Sequence, residues 1–140
     1  MAGKADFLEN AVLNHFFRGT DLGVNPATLY VALFTTTPAG DAGTGGVEAA
    51  FGGYARAAVA SVAGSWKDPA IATQGRVENL AKIVFNPNNG PDAATINGAG
   101  IYDALSGGNL LWFDSLAAPV TVNRQDQFRF DENQLIIAEG

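Results

Sequence analysis

The sequence predicts an all-β protein, a jelly-roll β-sandwich carrying one α-helix at its N-terminus. Three observations point there. Short apolar runs recur with turn residues between them about every eight to twelve residues, the rhythm of a sandwich. The 140 residues include 17 glycines and 6 prolines, and hydrophobic residues reach 47% against 16% charged, a balance that suits strands and turns better than a helical bundle. Only one segment carries a convincing helical period. The chain reads as a single domain over residues 1–140, with a helix segment 1–19 and a sandwich 20–140, long enough to enclose a core without disulfides.

Taken in order, the helix is expected over Asp6 to Phe17. Leu8, Val12 and Phe16 follow one another at i+4, and Leu13 and Phe17 widen that stripe. Asp6 with Glu9 has the spacing of a capping box, and Arg18 before Gly19 suits a left-handed C-terminal cap. The stripe is expected to lie on the chain's own sheet, which places Leu8, Val12 and Phe16 in the core; docking on a partner chain is the alternative. Leu29 to Thr36 is apolar on both faces, as a strand between two layers is, and Pro38 ends it. Tyr54 to Val62 is a second strand, rich in alanine, and Trp66 to Arg76 a loop. Glu78 to Phe85 alternates as a strand, and Asn86 to Ala93 is a turn cluster. Thr95 to Tyr102 and Leu110 to Leu116 form a hairpin across Asp103 to Asn109, and Val120 to Val122, Gln127 to Phe130 and Gln134 to Ala138 complete the strands.

Charge and composition exclude several functions. The net charge is −6 and the eight basic residues are scattered singly, so neither nucleic acid nor an anionic membrane is an expected partner. No apolar run approaches the roughly 18 residues of a membrane span, and MAGKADFLEN lacks the layout of a secretory signal, so synthesis in the cytoplasm is expected. Zero cysteines exclude disulfides, thiolate nucleophiles and cysteine zinc sites. The glycine-rich stretch Ala39 to Gly46 follows a buried strand, where nucleotide folds place a phosphate. It has no GxxxxGK, however, and the three lysines, Lys4, Lys67 and Lys82, lie elsewhere, so it is read as a corner between strands.

Catalytic signals are equally sparse. The single histidine, His15, sits one step off the helical stripe and reads as a partly exposed structural residue. Asn86 to Asp92 offers oxygen ligands without the order or terminal glutamate of a calcium hand. No catalytic residue, cofactor site or metal site is expected. What stands out is aromatic: Phe51 and Tyr54 flank Gly52 and Gly53, and Trp66 stands beside Lys67. Aromatics at loop edges anchor protein interfaces, so Phe51, Tyr54, Trp66 and Lys67 are candidate interface residues; closing the ends of the sandwich is the structural alternative.

Four stretches, FLENAVLNHFFRGT (Phe7 to Thr20), ATLYVALFTTTPAGDAG (Ala27 to Gly43), GGYAR (Gly52 to Arg56) and GIYDALSGGNLLWF (Gly100 to Phe113), resemble in the same order a family of small bacteriophage virion proteins labelled tail-fibre-like or head decoration proteins. The similarity continues through Pro119 to Phe130, while Lys67 to Asn79 departs from the shorter members. Length and motif content are most similar to jelly-roll cement members. The resemblance implies a cement protein on the outer capsid surface that bridges adjacent major capsid protein subunits as a homodimer and stabilises the DNA-filled head. A tail or fibre-base component involved in host attachment is the alternative. The resemblance supplies no catalytic residue, and an enzyme is not expected.

Overall fold

The computed structural model describes residues 3–23, 26–40, 42–69 and 75–138. Its spine is β2 (Thr28–Thr36), where Val31, Ala32 and Leu33 are fully buried and Phe34 nearly so. A strand apolar on both faces must be covered on both, and this one is. β7 (Ala94–Tyr102) pairs with one side of it, and β3 (Val47–Glu48) and β4 (Ala57–Ala60) share the other. β8 (Leu110–Val122) and β1 (Gly3–Lys4) extend the sheet beyond β7, giving the order β1-β8-β7-β2-β3 with β4 alongside β2. Every ladder is antiparallel.

Two ribbons form the opposing layer: β5 (Arg76–Glu78) with β10 (Ile136–Ala138), and β6 (Ile83–Val84) with β9 (Arg129–Phe130). Between the layers Phe85, Phe128 and Phe130 meet edge to face, with centroids 5.1 Å apart for Phe128–Phe130 and 5.7 Å for Phe85–Phe128. They pack in one core with Leu33, Ile96, Ile101 and Val122 of the large sheet. The protein is an all-β sandwich with an N-terminal helix.

The structure redraws several elements. The strand expected over Glu78 to Phe85 breaks into β5 and β6, because Asn79 is held by distant backbone. Its carboxamide donates to the carbonyls of Ala81 and Asp131 at 2.8 and 2.9 Å and accepts the Leu135 N–H at 2.8 Å. In the other direction, Leu110 to Val122 is one strand where two were expected. A step of two residues along β7, Ile96 to Gly98, matches a step of five along β8, Ser115 to Val120, and this bulge accommodates Pro119. The strand expected from Tyr54 is confined to Ala57–Ala60.

α1 (Asp6–Arg18) ends as read, with Gly19 left-handed at φ 65° and its N–H on the Asn14 carbonyl. Its start differs: Ala5 is the N-cap, extended and without any side-chain cap, so Asp6 and Glu9 form no capping box. The stripe is also only partly core. Leu8 is 5% exposed, Val12 is half-buried and Phe16 is 73% exposed. The helix leans on β8, and its last turns run past the body, with Phe16 some 12 Å further along the axis than Leu8.

Candidate interaction surface

The Phe51–Arg56 turn holds the strongest polar geometry. Arg56 makes two bonds to Glu48, Nε to Oε2 and Nη2 to Oε1, both 2.9 Å. Its Nη1 donates to the carbonyls of Ala104 and Gly107 at 2.8 Å, and the guanidinium lies 3.6 Å from the centre of the Tyr102 ring. Tyr54 Oη donates to Glu48 Oε2 at 2.7 Å and accepts the Leu33 N–H at 3.1 Å. Burial alone would raise the Glu48 carboxyl, but the bonds from Arg56 and Tyr54 outweigh it and hold that group below the ordinary carboxylate range. Burial and the bond to Glu48 push the Tyr54 hydroxyl upward. Each charged or polar group here already has its partner, so the cluster clamps the Asp103–Asn109 hairpin loop to β3 and offers no idle group for chemistry.

This clamp explains GGYAR. Gly52 touches the neighbouring turn so closely that an added Cβ would stand 2.6 Å from the Gly90 nitrogen, and Gly53 has φ +84°. The loop-edge position of Phe51 and Tyr54 does not make them surface. Phe51 is 8% exposed, and Tyr54 is half-buried against Phe51 and Phe85. The glycine-rich loop is a corner as read, joining β2 to its neighbour β3. Its Ala39, Gly43 and Thr44 N–H groups bond to carbonyls within the loop. Asn88, in the turn cluster weighed for calcium, is fully buried, with its side-chain oxygen on the Gly90 N–H. His15 is exposed and bonds the Thr20 carbonyl at 3.1 Å.

Trp66 and Lys67 lie beside β5. Trp66 bridges to Asn79 and is half-buried against the core. Lys67 stands 3.5 Å from Glu78, whose carboxyl is held low first by its hydrogen bond from Arg76 and also by Lys67. Where the β5–β10 ribbon diverges from the large sheet, an open trough of about 820 Å³ is lined by Leu29, Val62, Trp66, Ile101, Trp112 and Ile137. The indole nitrogens of Trp66 and Trp112, residues in its lining, are buried and have no hydrogen-bond partner among the described residues.

Among the described residues, the two most exposed large hydrophobic side chains stand at the end of α1. Leu13, Phe16 and Phe17 are 55%, 73% and 83% exposed at i, i+3 and i+4, and Phe7 is 41% exposed. Aromatic surface clustered in this way makes the helix end a candidate interaction surface. Among the described residues, no group of three or more histidine, cysteine, aspartate or glutamate side chains could hold a metal. No described helix is long and apolar enough to cross a membrane.

A family model described as podophage GP4 fiber I protein gp80 matches residues 3–138. The chain belongs to this family. It is therefore a bacteriophage structural protein and a component of the virion. No curated protein matches the chain. For this gp80-family protein, the sequence reading missed Phe16 and Phe17 as exposed surface, since i+4 spacing reports a helix face and not what covers it. The alternative of a partner chain was the only pointer to them.

Proposed function

We propose that the protein is a non-catalytic assembly module at the base of the phage tail fibres, acting by contact with other protein chains. The observation that carries this is the uncovered end of α1, where two phenylalanines present most of their area to solvent. The fibre assignment in the family's description supports the location. The satisfied Glu48–Tyr54–Arg56 cluster supports a structural role for the motif residues, and a net charge of −6 argues against nucleic acid or an anionic membrane as partner. A second reading is cement on the outer capsid surface, bridging major capsid protein subunits; the length and motif content shared with jelly-roll cement members favour it.

Cryo-electron microscopy of intact particles, with densitometry for copy number, separates them. Density confined to the tail vertex at low copy number is expected. Density repeated across the shell between capsid subunits would replace the fibre reading with the cement one. Absence of the chain from purified particles would overturn both.

A further inference from the structure

The chain contains two Asn–Gly steps, and the fold treats them differently. An asparagine side chain before glycine is open to attack by the glycine nitrogen, since glycine has no Cβ to hinder the approach. At Asn97–Gly98 both reacting groups are held. The Asn97 carboxamide donates to the Thr35 carbonyl at 2.8 Å, and Gly98 is buried in β7 between Phe34 of β2 and Ser115 of β8. At Asn89–Gly90 only the nitrogen is held. The Asn89 carboxamide rests over Gly52 and Gly53, exposed and without a hydrogen-bond partner among the described residues. The Gly90 N–H donates to Asn88 Oδ1 at 2.9 Å. Asn88 is fully buried, and its Nδ2 donates to the Asp92 and Val122 carbonyls at 2.8 and 3.1 Å. Its backbone is tied as well, N–H to the Asp126 carbonyl and carbonyl to the Gln125 N–H, so the acceptor cannot swing away from Gly90.

We propose that Asn89 is the residue at which the folded chain modifies itself, by deamidation, and that the Asn88–Gly90 hydrogen bond is the gate that sets the rate. The Gly90 nitrogen gives its proton to solvent base and bonds to Asn89 Cγ. The Cγ–Nδ2 bond breaks, and ammonia leaves with a proton from water, closing a succinimide. Water then opens the ring at either carbonyl and leaves an aspartyl or isoaspartyl residue at position 89; the sum is amide plus water to carboxylate plus ammonium. The first step needs the Gly90 nitrogen free of Asn88, so the folded chain reacts only through local openings of this turn. The isoaspartyl product routes the backbone through the former side chain and lengthens it by one atom. In the native turn the Asn89 N–H bonds the Gly52 carbonyl at 2.9 Å while Gly90 backbone packs against Gly52, and a longer turn cannot keep both contacts. Damage at Asn89 thereby passes to the GGYAR clamp. A virion component is not replaced once the particle is built, so the change accumulates with particle age, at the tail vertex and on the shell alike.

The test incubates the purified natural chain, folded and in urea, in mildly alkaline buffer made with heavy-oxygen water, and maps its peptides by mass spectrometry. In the folded chain, conversion with uptake of one heavy oxygen is expected at Asn89 and none at Asn97. In urea both residues convert, and Asn89 is expected to react at least about 10-fold faster than in the folded chain. Asn88→Ala removes the acceptor and should speed conversion in the folded state about 3–10-fold, the worth of one hydrogen bond. Should that variant lose the native circular dichroism, the gate is read in the natural chain from hydrogen exchange at the Gly90 amide, which should be slowed to the same extent as the conversion. The converted fraction, separated by its added negative charge, is expected to melt earlier than the fresh chain; an unchanged melt would overturn the link to the clamp. Equal rates at Asn89 with and without urea, or equal conversion of Asn89 and Asn97 in the folded chain, overturns the inference. So does an unconverted Asn89 in the folded chain after the unfolded chain has fully reacted, a folded Asn88→Ala variant no faster than the natural chain, or a Gly90 amide that exchanges freely.

Discussion

The Phe51–Arg56 turn and the end of α1 are both aromatic, both charged and both conspicuous in the sequence, yet they face opposite ways. At the turn, four of the five guanidinium N–H donors of Arg56 are taken by Glu48 and two carbonyls, and the Tyr102 ring lies against its face. At the helix, Phe16 is 73% and Phe17 83% exposed, and Phe16 meets the His15 ring edge to face. The difference teaches that residue type marks where binding energy is available, while the partner, inside the chain or outside it, depends on what the fold brings near.

Substitutions at the turn should therefore be costly to folding and those at the helix end nearly silent. The largest effect is expected for Arg56→Ala, which strands the Glu48 carboxylate and releases the hairpin loop. A loss of about 3–5 kcal/mol in urea unfolding is expected, and a loss under 1 would show that the clamp is solvated. Gly52→Ala comes next, at about 1–3 kcal/mol, because the new methyl meets Gly90 backbone that cannot swing aside. A smaller, pH-dependent effect belongs to Glu48. Its folded value is depressed from 4.5, so its contribution is complete above that pH and is lost as pH falls through the lowered value. The acid limb of thermal stability should be steeper in the natural chain than in Glu48→Gln. The smallest is Phe16→Ala, expected to change the stability of the dilute monomer by less than about 0.5 kcal/mol. A cost near 3 kcal/mol would return Phe16 to the core and erase the comparison.

Much of the fold was legible where local pattern and tertiary role coincide. β2 is apolar on both faces and central, and the Asp103–Asn109 loop has turn residues with Asp103 bonding Asn109 across it. Legibility failed where a distant residue decides. Asn79 ends β5 through partners 52 and 56 positions away, which no window over Glu78 to Phe85 contains. Pro119 reads as a break, yet a bulge lets β8 continue past it. For the candidate site, sequence marked Trp66 and Lys67 but not the Phe16–Phe17 surface, since the extent of the sheet under α1 is set by β8, about a hundred residues later.

That separation has a consequence during synthesis. α1 is among the first elements to leave the ribosome, but Leu8 docks on a core that includes Leu111 of β8, and the Ala5 N–H bonds the Leu111 carbonyl. A lone helix of 13 residues is marginal in water, and translation at roughly 5–20 residues per second separates Leu8 from Leu111 by about 5–20 seconds. Through that interval all the phenylalanines of the segment are open to chaperones and to nascent neighbours on the same message. An element made among the first is seated only when one made about a hundred residues later arrives.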